Sequence, residues 1–572
     1  MRAHSALAVA FFVLCLAGPA MEQAAAAKLT ASHGDQATGD SGDRACARCH
    51  AAIYDSYQGT SMARASGPAI DALTPAEFTH RESGVHYRIY SEAGKAWLSF
   101  NRTAPAQNDD SRVQGKRELL YYIGSGRRGR SYLFETDGFL FESPVNWYAS
   151  RHTWDTAPAY QSAREIPLTL PAYTSCLHCH VSGMQPPLQG TENRYPQPPF
   201  THGGISCGRC HGPGAAHVSA RSNNAGSNSG GAIINPAKLP PARRDDICMQ
   251  CHLEGKAAIE RPRRHVYEFR PGDSLSDYIR YFVFVGSTGG GLGAVSQVEA
   301  LAQSQCKKKS GDSMSCTSCH DPHRSVSTEE RVSYYRAKCL ACHAAPFAAK
   351  HHADHPDCTA CHMPASLSTD VAHTEVTDHR ISARPHIAAN LLQDTQDQSS
   401  VPRLIPFPAS QSVDPRDLAL AWQSLAESGV PGGQRQAQET LLSAIKQSPD
   451  DPALLSALAY GAQQRNATGV ARELYRKALK NDPTLIDAAV NLGVIEAQQG
   501  LLPNALRLWQ DAFERAPDRS SIGMNIARAD CATGDFAAAK AAVSRVLEFN
   551  PDFGPAKKML HELEGDPPNC GD

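Results

Sequence analysis

The chain has 572 residues, 41% of them hydrophobic and 20% charged, with a formal net charge of −2. That length asks for more than one domain, and beyond the extreme N-terminus no segment is apolar for long enough to cross a bilayer, which excludes a helical membrane-spanning protein. The informative departure is the content of 18 cysteines and 24 histidines.

At the N-terminus, Arg2 precedes an apolar run from Ala6 to Ala17 and small residues at Ala24 to Ala27. This pattern predicts a secretory signal peptide over residues 1–27, too short to span a bilayer. Cys15 follows Phe-Val-Leu, unlike a lipoprotein cleavage box, so a soluble mature protein is expected.

Seven Cys-x-x-Cys-His pentads then run from residue 46 to residue 362. Their cysteine pairs are Cys46/Cys49, Cys176/Cys179, Cys207/Cys210, Cys248/Cys251, Cys316/Cys319, Cys339/Cys342 and Cys358/Cys361. The histidines that close them are His50, His180, His211, His252, His320, His343 and His362. Two thiols three residues apart add to the two vinyl groups of one haem, and the next imidazole reaches the iron as proximal ligand. Random placement would give roughly 0.02 such pentads. Zinc knuckles or disulfides would use the cysteines but leave the following histidine unexplained. Seven covalently attached haem c groups are therefore expected, and with them a location in the periplasm or at the cell surface, where nucleic acid is not a partner. Seven haems carry about 14 propionates, which the basic clusters Arg127–Arg130, Arg261–Arg264 and Lys307–Lys309 could meet unless they are solvated loops. Outside the signal and the pentads, Cys306, Cys531 and Cys570 remain, an odd number that cannot all pair internally; Cys531 reads as a buried small hydrophobe.

The long gap after the first pentad holds aromatic and β-branched runs beginning at Val85, Ala96, Leu119 and Tyr132, separated by turn residues, which predict a small antiparallel sheet over about residues 80–150. From residue 171 to 386 periodicity is poor, as expected where porphyrins supply the core and the chain supplies short helices and loops, with Ser219–Gly231 and Gly286–Gly293 reading as flexible loops. Residues 28–386 form the expected heptahaem domain and 387–413 a proline-rich linker.

Beyond the linker a 34-residue period sets in at Pro449, Pro483, Pro517 and Pro551. It recurs at Ala437, Ala471, Ala505 and Ala539, at Leu441, Tyr475, Trp509 and Val543, and at the turn positions Gly432, Asn466, Gly500 and Gly534, where positive φ is wanted. This resembles the tetratricopeptide repeat over residues 414–565, as four helix pairs and a final helix of an all-α solenoid before a tail at 566–572. Such a solenoid offers a groove to a protein partner, docks on its own cytochrome domain or serves dimerisation.

Each iron also has a sixth position, and 14 histidines between residues 46 and 386 lie outside the proximal set. A histidine just after its own pentad cannot swing round the porphyrin edge, so His217 and His323 are expected on neighbouring haems. Met62, after the first pentad, is a candidate sixth ligand that would raise that haem's potential, or else packing on a helix.

The segments from Ile205 to Val218, Ile234 to Leu239, Cys316 to His323, Cys358 to Pro364 and His373 to Ile381 resemble the cytochrome c-554-like multihaem proteins with doubled Cys-x-x-Cys-His motifs and C-terminal tetratricopeptide repeats, relatives of hydroxylamine oxidoreductase. The resemblance implies His202, His217, His323, His373 and His379 as distal ligands. Two departures stand out: Arg127 and Arg128, and Ser296, occupy places where a histidine is expected, so one haem is open or differently ligated. The preferred reading is an extracytoplasmic electron carrier served by a redox partner protein or a quinone-linked reductase. The alternative is an oxidoreductase acting on a small nitrogen, sulfur or peroxide substrate at one open haem; the missing Cys-x-x-Cys-Lys motif counts against pentahaem nitrite reductase, and no catalytic residue is assigned. A scaffold with haems as mere packing is the third.

Overall fold

The structure is a computed structural model that describes residues 40–103, 112–158, 160–222, 233–285, 292–343, 355–368, 375–382 and 403–570. The expected signal peptide, His373 and most of the linker lie outside these residues.

Helix α1 (Asp40–Gln58) carries the first pentad. Nine strands follow: β1 (Ser66–Pro68), β2 (Ala76–Thr79), β3 (His86–Glu92), β4 (Lys95–Arg102), β5 (Val113–Ile123), β6 (Gly129–Thr136), β7 (Phe139–Glu142), β8 (Val145–Tyr148) and β9 (Thr153–Thr156). They form one sheet in the order β2-β3-β4-β5-β6-β8-β9, with β1 on β5 and β7 on β6, and the pairings are antiparallel. Alternation drives it: Tyr87 and Ile89 on β3, and Ala96, Leu98 and Phe100 on β4, are buried while their neighbours face outward. Phe100 lies opposite Gly115, where a Cβ would sit 2.4 Å from its ring, so the glycine makes room for the aromatic. The sheet is larger than the 80–150 span read from the sequence, because β1, β2, β8 and β9 have only three or four residues each and carry little pattern.

Short elements hold the next pentads: α2 (Thr174–His180), β10 (Val181–Met184), β11 (Phe200–Gly203), α3 (Gly208–His211), α4 (Ala215–Ser222), α5 (Pro241–His252), β12 (Ala257–Glu260), β13 (Ile279–Phe284), α6 (Gln297–Gln303), α7 (Gln305–Ser310), α8 (Arg331–Leu340), α9 (Cys358–His362), β14 (Ala365–Leu367) and β15 (Glu375–Thr377). Two expectations are corrected here. Ser219–Ser222 continues helix α4, and within the supposed linker Leu404–Phe407 is a strand, β16, added to β13 beside β12.

The C-terminal stretch is all helical: α10 (Pro415–Glu427), α11 (Gly433–Ala444), α12 (Pro452–Gln464), α13 (Thr468–Asn481), α14 (Ile486–Gln498), α15 (Leu502–Arg515), α16 (Ser520–Ala532), α17 (Phe536–Phe549) and α18 (Gly554–Leu563). Asp414 and Asp451 cap α10 and α12, each followed by proline at the first helical position. The turn residues Gly432, Asn466, Gly500 and Gly534 all have positive φ, between 58° and 81°, and Ala471, Ala505 and Ala539 are fully buried where paired helices touch.

Both ends of this helical array dock on the rest of the chain. At one end Phe549 is 2% exposed and meets Phe139 and Phe141 of β7 edge-on, with ring centroids 5.9 Å apart in each case. Beside it the buried Asp552 carboxylate accepts from Arg102 Nη2 at 2.5 Å, Lys557 Nζ at 3.2 Å and the Ile166 amide at 3.1 Å. At the other end α10 covers the β12-β13-β16 ladder, and the buried Asp417 pairs with Arg261, Arg280 and Arg416. Arg261, from one of the basic clusters, is thus part of this ion network. Cys531 is not a simple buried hydrophobe: it forms a disulfide with Cys570 that pins the tail.

Candidate functional site

Helices and turns of three to nineteen residues present the pentads. In a helical turn the two thiols and the imidazole of Cys-x-x-Cys-His fall on adjacent faces. The second, third, fourth and seventh pentads end α2, α3, α5 and α9; the fifth starts in a 3₁₀ turn at Cys316–Ser318, and the sixth straddles the end of α8. Helix α1 departs from helical geometry at His50 (φ −118°, ψ 40°).

Five of the seven imidazoles meet a partner through Nδ1. The Nδ1–H of His211 donates to the Ile234 carbonyl at 2.8 Å, that of His362 to Ser382 O at 2.6 Å, and that of His180 to Ala65 O at 3.4 Å. Nδ1 of His252 faces Gln297 Oε1 at 3.4 Å, and Nδ1 of His320 faces the Tyr335 hydroxyl at 3.4 Å. A neutral imidazole that donates through Nδ1 has a bare Nε2, the state of a metal-binding histidine. Desolvation, the largest cause, pushes the pKa of the half-buried His180 down and favours its neutral ring, and it lowers those of His252 and His320 too, although both of these rings keep solvent-exposed surface.

Two candidate distal histidines meet proximal ones. His323 stacks near His211 with ring centroids 5.9 Å apart and an interplanar angle of 14°, and His379 lies 6.2 Å from His320. Iron–nitrogen bonds of about 2 Å on both sides of one metal put imidazole centroids about 6 Å apart. His379 also donates through Nδ1, to Thr377 O at 2.9 Å, and burial lowers the pKa of both His323 and His379. His323 thus sits beside the third pentad, not the fifth that precedes it in sequence. His202 on β11 lies 3.8 Å from Asp43 of α1, whose carboxylate also accepts from the Cys207 amide. The Nδ1 of His217 is buried without a hydrogen-bond partner, on helix α4, which packs against α1. Met62 sits in a turn, not on a helix, and its carbonyl accepts from the Ile205 amide. Arg128 donates to Ala294 O at 3.1 Å, and its charge bears on His252 and His379, while Ser296 precedes α6 and bonds to Gly293 O.

The pentads touch one another. Thiols hydrogen-bond across pentads in the pairs Cys46 with Cys207, Cys179 with Cys251, Cys248 with Cys316, and Cys339 with Cys358. The pentad thiols differ in exposure. Cys49, Cys342 and Cys361 are exposed, whereas the other pentad cysteines are half-buried, and among the pentad histidines His50, His252, His320 and His343 are exposed. In the first, sixth and seventh pentads the first thiol lies against another pentad, Cys46 against Cys207 and Cys339 against Cys358, and the second thiol, three residues on, faces solvent. Exposure leaves the thiols of Cys49, Cys342 and Cys361 open to solvent.

Sequence reasoning missed a polar hub that joins three successive pentads. The third residues of the second, third and fourth, His178, Arg209 and Gln250, meet through Arg209 Nη2, 3.2 Å from His178 Nδ1, 3.0 Å from His178 O and 2.9 Å from Gln250 Oε1. The available signal was a polar side chain at that position in three successive pentads.

Thiol pairs followed by neutral imidazoles with bare Nε2 atoms are a donor set that fits covalently bound haem. Residues 145–212, which hold the second and third pentads, match the family of cytochrome c554 and c-prime, and this implies a c-type cytochrome with covalently bound haem c. No curated protein matches the chain in sequence. Among solved structures, the pilF protein of Pseudomonas aeruginosa is 24% identical over 26% of this chain and 68% of its own, with a TM-score of 0.24. A tetratricopeptide repeat protein from Parabacteroides merdae is 17% identical over 27% of this chain and 61% of its own, with a TM-score of 0.23. MamA is 15% identical over 24% of this chain and 79% of its own, with a TM-score of 0.22. Among the described residues no helix is long and apolar enough to cross a membrane.

Proposed function

We propose that the protein is an extracytoplasmic heptahaem c-type cytochrome that carries electrons. The observation that carries the reading is the contiguity of the pentads, whose thiols interleave across the sequence and whose half-buried His211 and His362 rings are turned by Nδ1 hydrogen bonds. Bound haem supplies one-electron iron chemistry at each site. The chain's own residues do the rest. Cys46 to Cys361 in seven pairs fix the groups covalently, with Cys49, Cys342 and Cys361 as the exposed members, and His50, His180, His211, His252, His320, His343 and His362 take the proximal positions. His323 and His379 close two distal positions, with His202, His217, His373 and Met62 as further candidates.

A periplasmic or cell-surface location agrees with the Cys531–Cys570 disulfide, since such bonds persist outside the reducing cytosol. The docking of both ends of the helical array makes it a fixed part of the molecule, and its remaining surface is the place for a redox partner protein. The test is haem stoichiometry by mass together with low-temperature EPR of the exported protein. Seven haems, all low-spin, support a pure carrier; fewer than seven overturn the count, and a high-spin ferric signal that responds to nitrite, hydroxylamine or peroxide moves the reading to an oxidoreductase.

A further inference from the structure

We propose that Arg209 acts as a fixed positive charge that raises the reduction potential of the haem groups attached at the second, third and fourth pentads. The inference rests on the multihaem reading above. Arg209 occupies the third position of its own pentad and reaches the same position of the two flanking ones, so its guanidinium stands at the junction of α2, α3 and α5. Its acceptors are a ring nitrogen and the carbonyl of His178 and the amide oxygen of Gln250. His178 and Gln250 are both buried, and the His178 ring nitrogen that accepts from the guanidinium carries no proton. All these acceptors are uncharged, so the hydrogen bonds fix the guanidinium without cancelling its charge. An arginine keeps that charge at any physiological pH. Its charge stands beside the attachment points: Arg209 immediately precedes Cys210, and the residues its guanidinium holds, His178 and Gln250, immediately precede Cys179 and Cys251.

The consequence is electrostatic. One electron, given by the redox partner or in the test by dithionite, converts ferric to ferrous iron and lowers the positive charge of the site by one. A neighbouring cation held in a poorly solvated junction favours that change. The three haem groups would then form the electron-accepting section of the chain. Arg209 is a positioning and tuning residue, since it touches no iron ligand directly.

The experiment is optically monitored redox potentiometry of the intact holoprotein, with haem counted by mass, for the parent, Arg209→Gln and Arg209→Lys. Arg209→Gln should move part of the reduction curve to lower potential at full haem loading, and Arg209→Lys, which keeps the charge, should follow the parent. A parental curve for haem-loaded Arg209→Gln overturns the proposal; this is the outcome expected if a haem propionate already neutralises the guanidinium. An Arg209→Lys curve displaced from the parent also overturns it, because shape rather than charge would then matter, and this arm decides the issue even if the glutamine variant fails to assemble. A parent without bound haem would instead sink the cytochrome reading itself.

Discussion

For a single residue, the clearest statement concerns the imidazoles. Sequence assigns His211 to its pentad by spacing alone, but nothing in the spacing says that its ring will face His323, 112 positions further along. Removing the ring while leaving Cys210 and Cys207 in place separates attachment from coordination. His211→Ala is expected to keep the haem mass unchanged and to convert one low-spin signal to high-spin or altered form by EPR; an unchanged spectrum would refute the assignment. A second single-residue effect lies in the repeats. Burial pushes the Asp518 carboxyl up to about 6, whereas an unfolded aspartate titrates near 3.9. Between about pH 4 and 6 the folded state therefore holds a proton that the unfolded state has lost, so stability is greatest below that window and falls as pH rises through it. Because Asp518 is half-buried, the penalty at pH 7 is discounted for screening to about 1 to 2 kcal/mol. Asp518→Asn should raise the melting temperature at pH 7 and flatten its slope between pH 4 and 6, as read by thermal unfolding across pH.

Among the elements, the repeat helices were the most legible because their signals are local. The alanine at 437, 471, 505 and 539 and the turn residue at 432, 466, 500 and 534 act within one helix pair, and Asn466 adopts φ 58° where its counterparts are glycines. The sheet was half legible: β3 and β4 alternate over seven and eight residues, but β8 and β9 are four-residue strands whose pairing depends on β6. Spacing made all seven pentads alike, and it could not tell the exposed thiols of Cys49 and Cys342 from the half-buried ones, because burial depends on which other pentad packs alongside. The disulfide was not legible at all, since its partners stand 39 residues apart and one lies in a polar tail. Closing a loop of that length stabilises by about 3 to 4 kcal/mol through the unfolded state. Cys570→Ser should lower stability by up to that amount in denaturant titrations, with no change in haem content.

At the level of the whole molecule, the helical array and the nine-stranded sheet share a core. Phe549 belongs to the sheet's hydrophobic cluster although it ends the last repeat helix pair, and Asp552 lies against Arg102 across 450 positions of sequence. Phe549→Ala should cost about 3 to 5 kcal/mol by leaving a cavity between Phe139 and Phe141. Calorimetry of the holoprotein would show it: the variant should resolve a separate low-temperature transition for the array, where the parent melts as one unit, and a single unshifted transition in the variant would refute the shared core.

The sequence by itself determined the pentads, the period of the repeats and the alternation of the longer strands, because each depends on covalent spacing or on a local helix or strand period. The tertiary structure decided which histidine faces which pentad, that His178, Arg209 and Gln250 converge, and that both ends of the array dock on the haem-binding region and its sheet. These are contacts between positions far apart in the chain, fixed by mutual burial and by hydrogen bonds that exist only once the segments have packed.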